Sequence, residues 1–175
     1  MDLLTIDILK ILDTNALPVI LCLGSDRVLG DCVGPMVGEM LTRKYSVPTY
    51  VYGTLTNNIT ASNIKSTIEF IKNNHKDRSV LVVDCGVGGI DKIGQIRVCK
   101  GAVKCACFNE MIGDRQIIAY TSHLGATEKC FLRTTRIQTV TYMATKIAKS
   151  INDAINIVSN INACPLHSST KNIVF

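Results

Sequence analysis

The sequence predicts an α/β protein: a three-layer domain with a mainly parallel, twisted sheet flanked by helices. Three observations predict it. Two short apolar runs, Val19 to Leu23 and Val80 to Val83, have the β-branched, uninterrupted character of strands buried on both faces. Each run breaks at a polar or glycine-rich segment, Gly24 to Gly30 after the first and Asp84 onward after the second. Between and around them lie stretches with helical spacing, giving a β-α-β-α-β order that favours parallel pairing.

Taken in order, residues 2–13 place Leu4, Ile8, Ile11 and Leu12 at helical spacing, an amphipathic helix for packing on the sheet. Val19 to Leu23 is the first strand. Pro35 suits the first turn of a helix whose apolar face continues through Met36, Val37, Met40 and Leu41. Thr49 to Tyr52 is a short β-branched and aromatic strand ending at Gly53. A helix comes next over Ser62 to Asn73, marked by Ile64, Ile68 and Ile71. Val80 to Val83 is the third strand, with a glycine-rich turn expected at Gly86 to Gly89. Gln95 to Cys99 and Ile117 to Tyr120 have strand character, and the segment from Lys104 to Gly113 between them takes no assignment. A long helix runs from Glu128 or Arg133 to Val158, and residues 163–175 form a polar tail expected to be loose. Residues 1–162 therefore make a single domain.

Composition narrows the function. At 175 residues the chain is long enough to bury about 70% of the surface its unfolded form exposes. A net charge of +5, no tryptophan and no basic run interleaved with aromatics argue against nucleic acid as a partner. The longest apolar run near the N-terminus contains Pro18 and is far short of the ~20 residues of a membrane span. That terminus lacks a basic flank, and Asp7, Lys10 and Asp13 interrupt its apolar stretch, unlike a secretory signal. A cytoplasmic chain with eight reduced cysteines is the expectation. Cys105 and Cys107 do not make a Cys-x-x-Cys knuckle, so structural zinc is not expected.

The loop after the first strand excludes several enzyme classes. It lacks the Gly-Lys-Ser/Thr ending of a P-loop and the Gly-x-Gly-x-x-Gly of a dinucleotide fold, and no Gly-x-Ser-x-Gly elbow occurs. Carboxylates remain as the candidates. Asp26 and Asp31 lie in the first loop, and Asp84 comes directly after the Val80 to Val83 run. Asp31 could simply cap the helix at Pro35, and Asp84 could stabilise a turn. Together they suit an acid/base pair, because adjacent parallel strands deliver their loops to one crevice at the carboxyl edge of the sheet. Two carboxyls a few ångströms apart share a proton near neutrality, and so offer a base and an acid at once. Cys85 is expected to point away from the face that Asp84 uses, which leaves the thiol passive. His123, in Thr121-Ser122-His123-Leu124-Gly125, could face the same edge and complete a divalent-metal set with Asp31 and Asp84; a loop histidine is the simpler reading.

The Gly-Ser-Asp-Arg start and Gly-Asp-x-x-Gly-Pro end of the segment Gly24 to Pro35 resemble the YyaC-type sporulation proteins, described as spore proteases. The resemblance runs from Val19 to about Ile155. It includes Val37-Gly38, Tyr52-Gly53-Thr54-Leu55, Ala61, Asn63, Asp84, Gly113-Asp114, Thr135-Arg136 and Met143-Ala144. That family is similar to the germination protease of spore-forming bacteria and to the hydrogenase maturation endopeptidases. The resemblance implies a phosphorylase/hydrolase-like three-layer fold and an aspartic-type endopeptidase with Asp31 and Asp84 as catalytic residues. It implies a cleft for a protein or peptide substrate, lined by Gly24, Ser25, Asp26, Gly53, Thr54 and His123, without a cofactor. The hydrogenase branch implies the alternative of one divalent metal at Asp31, Asp84 and His123. A non-catalytic partner-binding role for the same cleft, and a homo-oligomer, stay open. Ser25 stands where the family has threonine, Thr60 where it has histidine, and Thr121 to Gly125 where it has Val-Asn-Val-Gly-Gly.

Overall fold

The computed structural model describes residues 1–104, 110–123 and 135–163, His123 and Ala163 by their backbone alone. Helix α1 is Leu3–Ile11, started by the Asp2 carboxylate, which accepts the Thr5 N–H at 2.8 Å. Strand β1 is Val19–Cys22 and helix α2 is Val33–Glu39, entered through a 3-10 turn at Leu29–Asp31 and left through a π-helical turn at Met40–Lys44. Strand β2 is Val51–Tyr52, helix α3 is Ile64–Asn74 and strand β3 is Val80–Gly88. Strand β4 is Ile96–Lys100, and β5 (Val103–Lys104) pairs with β6 (Met111–Ile112) as a separate ribbon. Strand β7 is Arg115–His123 and helix α4 is Ile137–Ala163.

The main sheet has the order β2-β1-β3-β7-β4, parallel except for β4, which runs antiparallel to β7 at one edge. Strand alternation divides the core into two layers. Ile20, Cys22, Leu81, Val83, Ile117 and Ala119 face α1, α2 and α4, where Ile8, Val37, Leu41, Met143, Ile147 and Ile151 are fully buried. Val19, Leu21 and Val82 face the other way, onto Ile64 and Ile71 of α3. The predicted three-layer, mainly parallel α/β architecture is the one observed.

Glycines let backbones touch where β1, β2 and α2 meet. A Cβ on Gly38 would lie 1.8 Å from the Gly53 carbonyl oxygen, and one on Gly53 would lie 1.9 Å from the Cys22 carbonyl oxygen. Helix α2 therefore rests directly on the sheet.

Three expectations need correction. The turn expected at Gly86 to Gly89 is strand for most of its length: β3 continues to Gly88 because β7 pairs with it through Gly88↔His123, across a bulge after Gly86. Asp84 consequently sits within a strand and does not end one. The last helix begins at Ile137, later than expected, since Thr135 and Arg136 are irregular chain and the Thr135 hydroxyl is bonded to the Thr121 carbonyl of β7 at 3.1 Å. The tail from 164 lies outside the described residues, as does the Glu128 to Arg133 start.

Candidate functional site

The site exists because β1 is shorter than its neighbour. The ladder between them ends at Cys22↔Val83, with one more bond from the Leu23 N–H to the Val83 carbonyl. Beyond that point β3 has an open flank, and the loop from Gly24 turns across it. The loop is held in place by backbone contacts. Gly24 has φ +130°, and a Cβ there would meet the Asp31 carbonyl oxygen at 2.0 Å. The Ser25 N–H donates to that same carbonyl at 3.1 Å. From the other side, the buried Thr121 hydroxyl of β7 donates to the Gly30 carbonyl at 2.8 Å.

Asp31 does not cap α2. Cys32 holds the cap position without a side-chain bond, and the Asp31 carboxylate turns toward β3 instead. There the carboxylate oxygens of Asp31 and Asp84 and the Cys85 sulfur lie within 4.8 Å of one another. Cys85 touches both acids. Its thiol donates to Asp31 Oδ1 at 3.0 Å, and its backbone N–H donates to Asp84 Oδ1 at 2.8 Å. This corrects the expectation of a passive thiol. Alternation does send the Cys85 side chain to the face opposite Asp84, but that is the face on which α2 and the turn carrying Asp31 lie.

Burial controls the protonation of all three groups. It pushes the Asp84 carboxyl up to about 7, the Cys85 N–H offsetting part of this and the Asp31 charge adding to it. Burial also raises Asp31, against the pull of the Cys85 thiol and the Ser25 N–H. The Cys85 thiol is driven well above its ordinary value by burial and then by the two carboxylates, so it stays protonated and acts as a donor.

The pair opens onto a cleft of about 980 Å³ at the carboxyl edge of the sheet. Of the expected binding residues, Gly24 and Ser25 line it with Asp31 and Asp84. Asp26 does not: it is exposed to solvent, and its carboxylate accepts the Asn58 amide at 2.5 Å. Gly53 and Thr54 also fall outside the cleft wall, because Gly53 is pressed on Cys22 and the Thr54 hydroxyl accepts the Asn57 N–H. The backbone of His123 closes β7 beside Gly88, and its side chain lies outside the described residues. Thr60 lines the cleft, its hydroxyl sharing a 2.9 Å hydrogen bond with Ser62.

Residues not foreseen include Arg27, Asn58, Arg97 and Tyr120 on the cleft wall. Arg97 and Tyr120 come from β4 and β7, whose places in the sheet no local pattern reveals. Arg27 lies in the loop already singled out and was open to detection as a cation beside two acids.

Residues 2–150 match the family model described as "Protein of unknown function (DUF1256)". The chain belongs to that family. It is also 31% identical over 138 residues to the "Uncharacterized protein YyaC" of Bacillus subtilis (strain 168), a match that covers 77% of this chain and 67% of the relative. No solved structure matches the chain. The DUF1256 match spans β1, the Asp31 turn, β3 and the first half of α4, so both acids fall within the family's extent. Among the described residues no helix is long and apolar enough to cross a membrane.

Proposed function

We propose that this DUF1256 member is an endopeptidase that cleaves a specific protein substrate with a paired-aspartate mechanism, in the setting of sporulation that the YyaC resemblance implies. One observation carries the reading: two carboxyls within 4.8 Å of each other, at the wall of a cleft, with Asp84 titrating at about 7. Near neutral pH the pair holds one proton between its members. Asp31, whose carboxylate accepts the Cys85 thiol, is the base. It takes a proton from water as the water oxygen bonds to the scissile carbonyl carbon. Protonated Asp84 supplies the proton that the departing amine nitrogen needs when the C–N bond breaks.

A metal-assisted form of the same hydrolysis is favoured by a separate observation, the sulfur among the donors. Asp31, Asp84 and Cys85 would hold a single divalent ion such as zinc, a borderline acid that accepts both oxygen and thiolate. Such an ion would lower the pKa of a bound water.

The test is a cleavage profile. Purified chain, incubated with a proteome-derived peptide library at pH 6–8, should generate new termini that share one sequence pattern. Asp31→Asn and Asp84→Asn should each reduce their yield by a factor of about 100 or more. Identical profiles from wild type and both variants would reject catalysis and leave a partner-binding cleft. Zinc content after purification with reductant and without chelator separates the two mechanisms.

A further inference from the structure

The amino edge of the sheet carries a second constellation, remote from the acid pair. Lys76 and Arg78 lie in the turn between α3 and β3, and Ser79 directly precedes the strand. Arg115 opens β7, and Lys100, which closes antiparallel β4, pairs with it in register. These side chains line a shallow basin of about 500 Å³ together with two acids, Asp77 and Asp114. Asp114 is already engaged, its Oδ2 accepting the Val80 N–H at 2.8 Å. Four cations thus face two carboxylates. Among the described residues the ion pairs are Lys10–Asp7 and Arg43–Glu39, so none of the four has an acidic partner.

A further feature distinguishes this basin from a solvated basic rim. Both guanidinium groups are tethered. Arg78 Nη1 donates to the Leu17 carbonyl at 3.4 Å and the group lies 5.3 Å from the Tyr50 ring centre, while Arg115 Nε donates to the Ile11 carbonyl. Each has committed one N–H to a carbonyl and keeps others in a fixed fork. Two tethered guanidinium groups without an acidic partner match an anion that offers several oxygens.

We propose that this basin is a binding site for a phosphate group carried by a small ligand, with Arg78 and Arg115 as the fork and Lys76 and Lys100 as flanking charges. Val80 and Asp84 are four residues apart on β3, so the site lies roughly 13 Å from the acid pair along the strand. It stands apart from the cleft, and its existence does not depend on the peptidase reading.

The experiment tracks the arginine Nε–Hε signals of the 15N-labelled full chain during titration with inorganic phosphate. Chloride at matched ionic strength, and succinate, serve as parallel arms. Saturable shifts of Arg78 and Arg115 with phosphate, absent with chloride and weaker with succinate, are expected. Because the two arginines also tether the α1–β1 connection, the decisive variant is Lys76→Gln/Lys100→Gln, two exposed side chains without hydrogen bonds of their own. It should keep the fold and raise the dissociation constant about tenfold, about threefold for each exposed charge. A linear, chloride-like response, equal saturation by succinate, or unchanged affinity in the double lysine variant would each overturn the proposal.

Discussion

Replacing Asp84 by asparagine should stabilise the protein at alkaline pH while disabling the proposed chemistry. The carboxyl has a folded-state pKa of about 7 against an ordinary value of 3.8. A carboxyl raised on folding costs nothing below about pH 4, where folded and unfolded chains both hold the proton. Between pH 4 and 7 the unfolded chain releases its proton first, so stability falls as pH rises and levels off above 7. A shift of about three units corresponds to roughly 4 kcal/mol, an upper bound because Asp84 opens partly onto the cleft. Asparagine keeps the oxygen that accepts the Cys85 N–H and has no charge to desolvate. Urea titrations monitored by circular dichroism, in reductant, should show a gap of at most about 1 kcal/mol between wild type and Asp84→Asn at pH 4.5, roughly 0.4 M in midpoint. At pH 8 the variant midpoint should lie higher by roughly 1–2 M, for a slope of about 2–3 kcal/mol/M. Some pH dependence should survive in the variant, since Asp31 is raised as well. Equal stability of the two proteins at pH 8, or a less stable variant, would refute the claim that burial forces a proton onto Asp84.

Gly38→Ala should cost several kcal/mol or prevent folding, because its Cβ would fall 1.8 Å from a backbone oxygen that cannot rotate away; thermal melts beside Ser150→Ala, a milder change at a buried hydroxyl, check this. Alkylation by iodoacetamide at pH 8, read out by peptide mass spectrometry, should leave Cys22 and Cys85 largely unmodified in the native chain and fully modified in urea, since burial holds both thiols protonated.

How far the fold was legible in the sequence depends on where the determining forces lie. Val19 to Leu23 and Val80 to Val83 read as strands because residues buried on both faces leave a continuous apolar run. The far half of β3, Asp84 to Gly88, did not, since its composition is that of a turn and only pairing with β7 keeps it extended. The π-helical turn after α2 leaves the apolar spacing almost unchanged and has no local signature. At the site, the meeting of Asp31 and Asp84 was readable from two strands delivering acids to one edge. The part played by Cys85 was not. It depends on β1 ending at Cys22 while β3 runs on, a difference in strand length that neither strand encodes alone.

The hydrogen bond from Thr121 to the Gly30 carbonyl ties the acid pair to the order in which the chain is made. Asp31 and Asp84 are both present once the first half has been synthesised, and β1 and β3 can already pair. The strand opposite Asp84, through Asp84↔Ile118, and the hydroxyl that holds the turn beside Asp31 come only with β7. Helix α4, which fills the core under β1 and β3, comes later still. A nascent or truncated chain therefore contains both acids without the geometry that couples them. Competence for the proposed hydrolysis arrives with the final third of the polypeptide, so incomplete copies are silent.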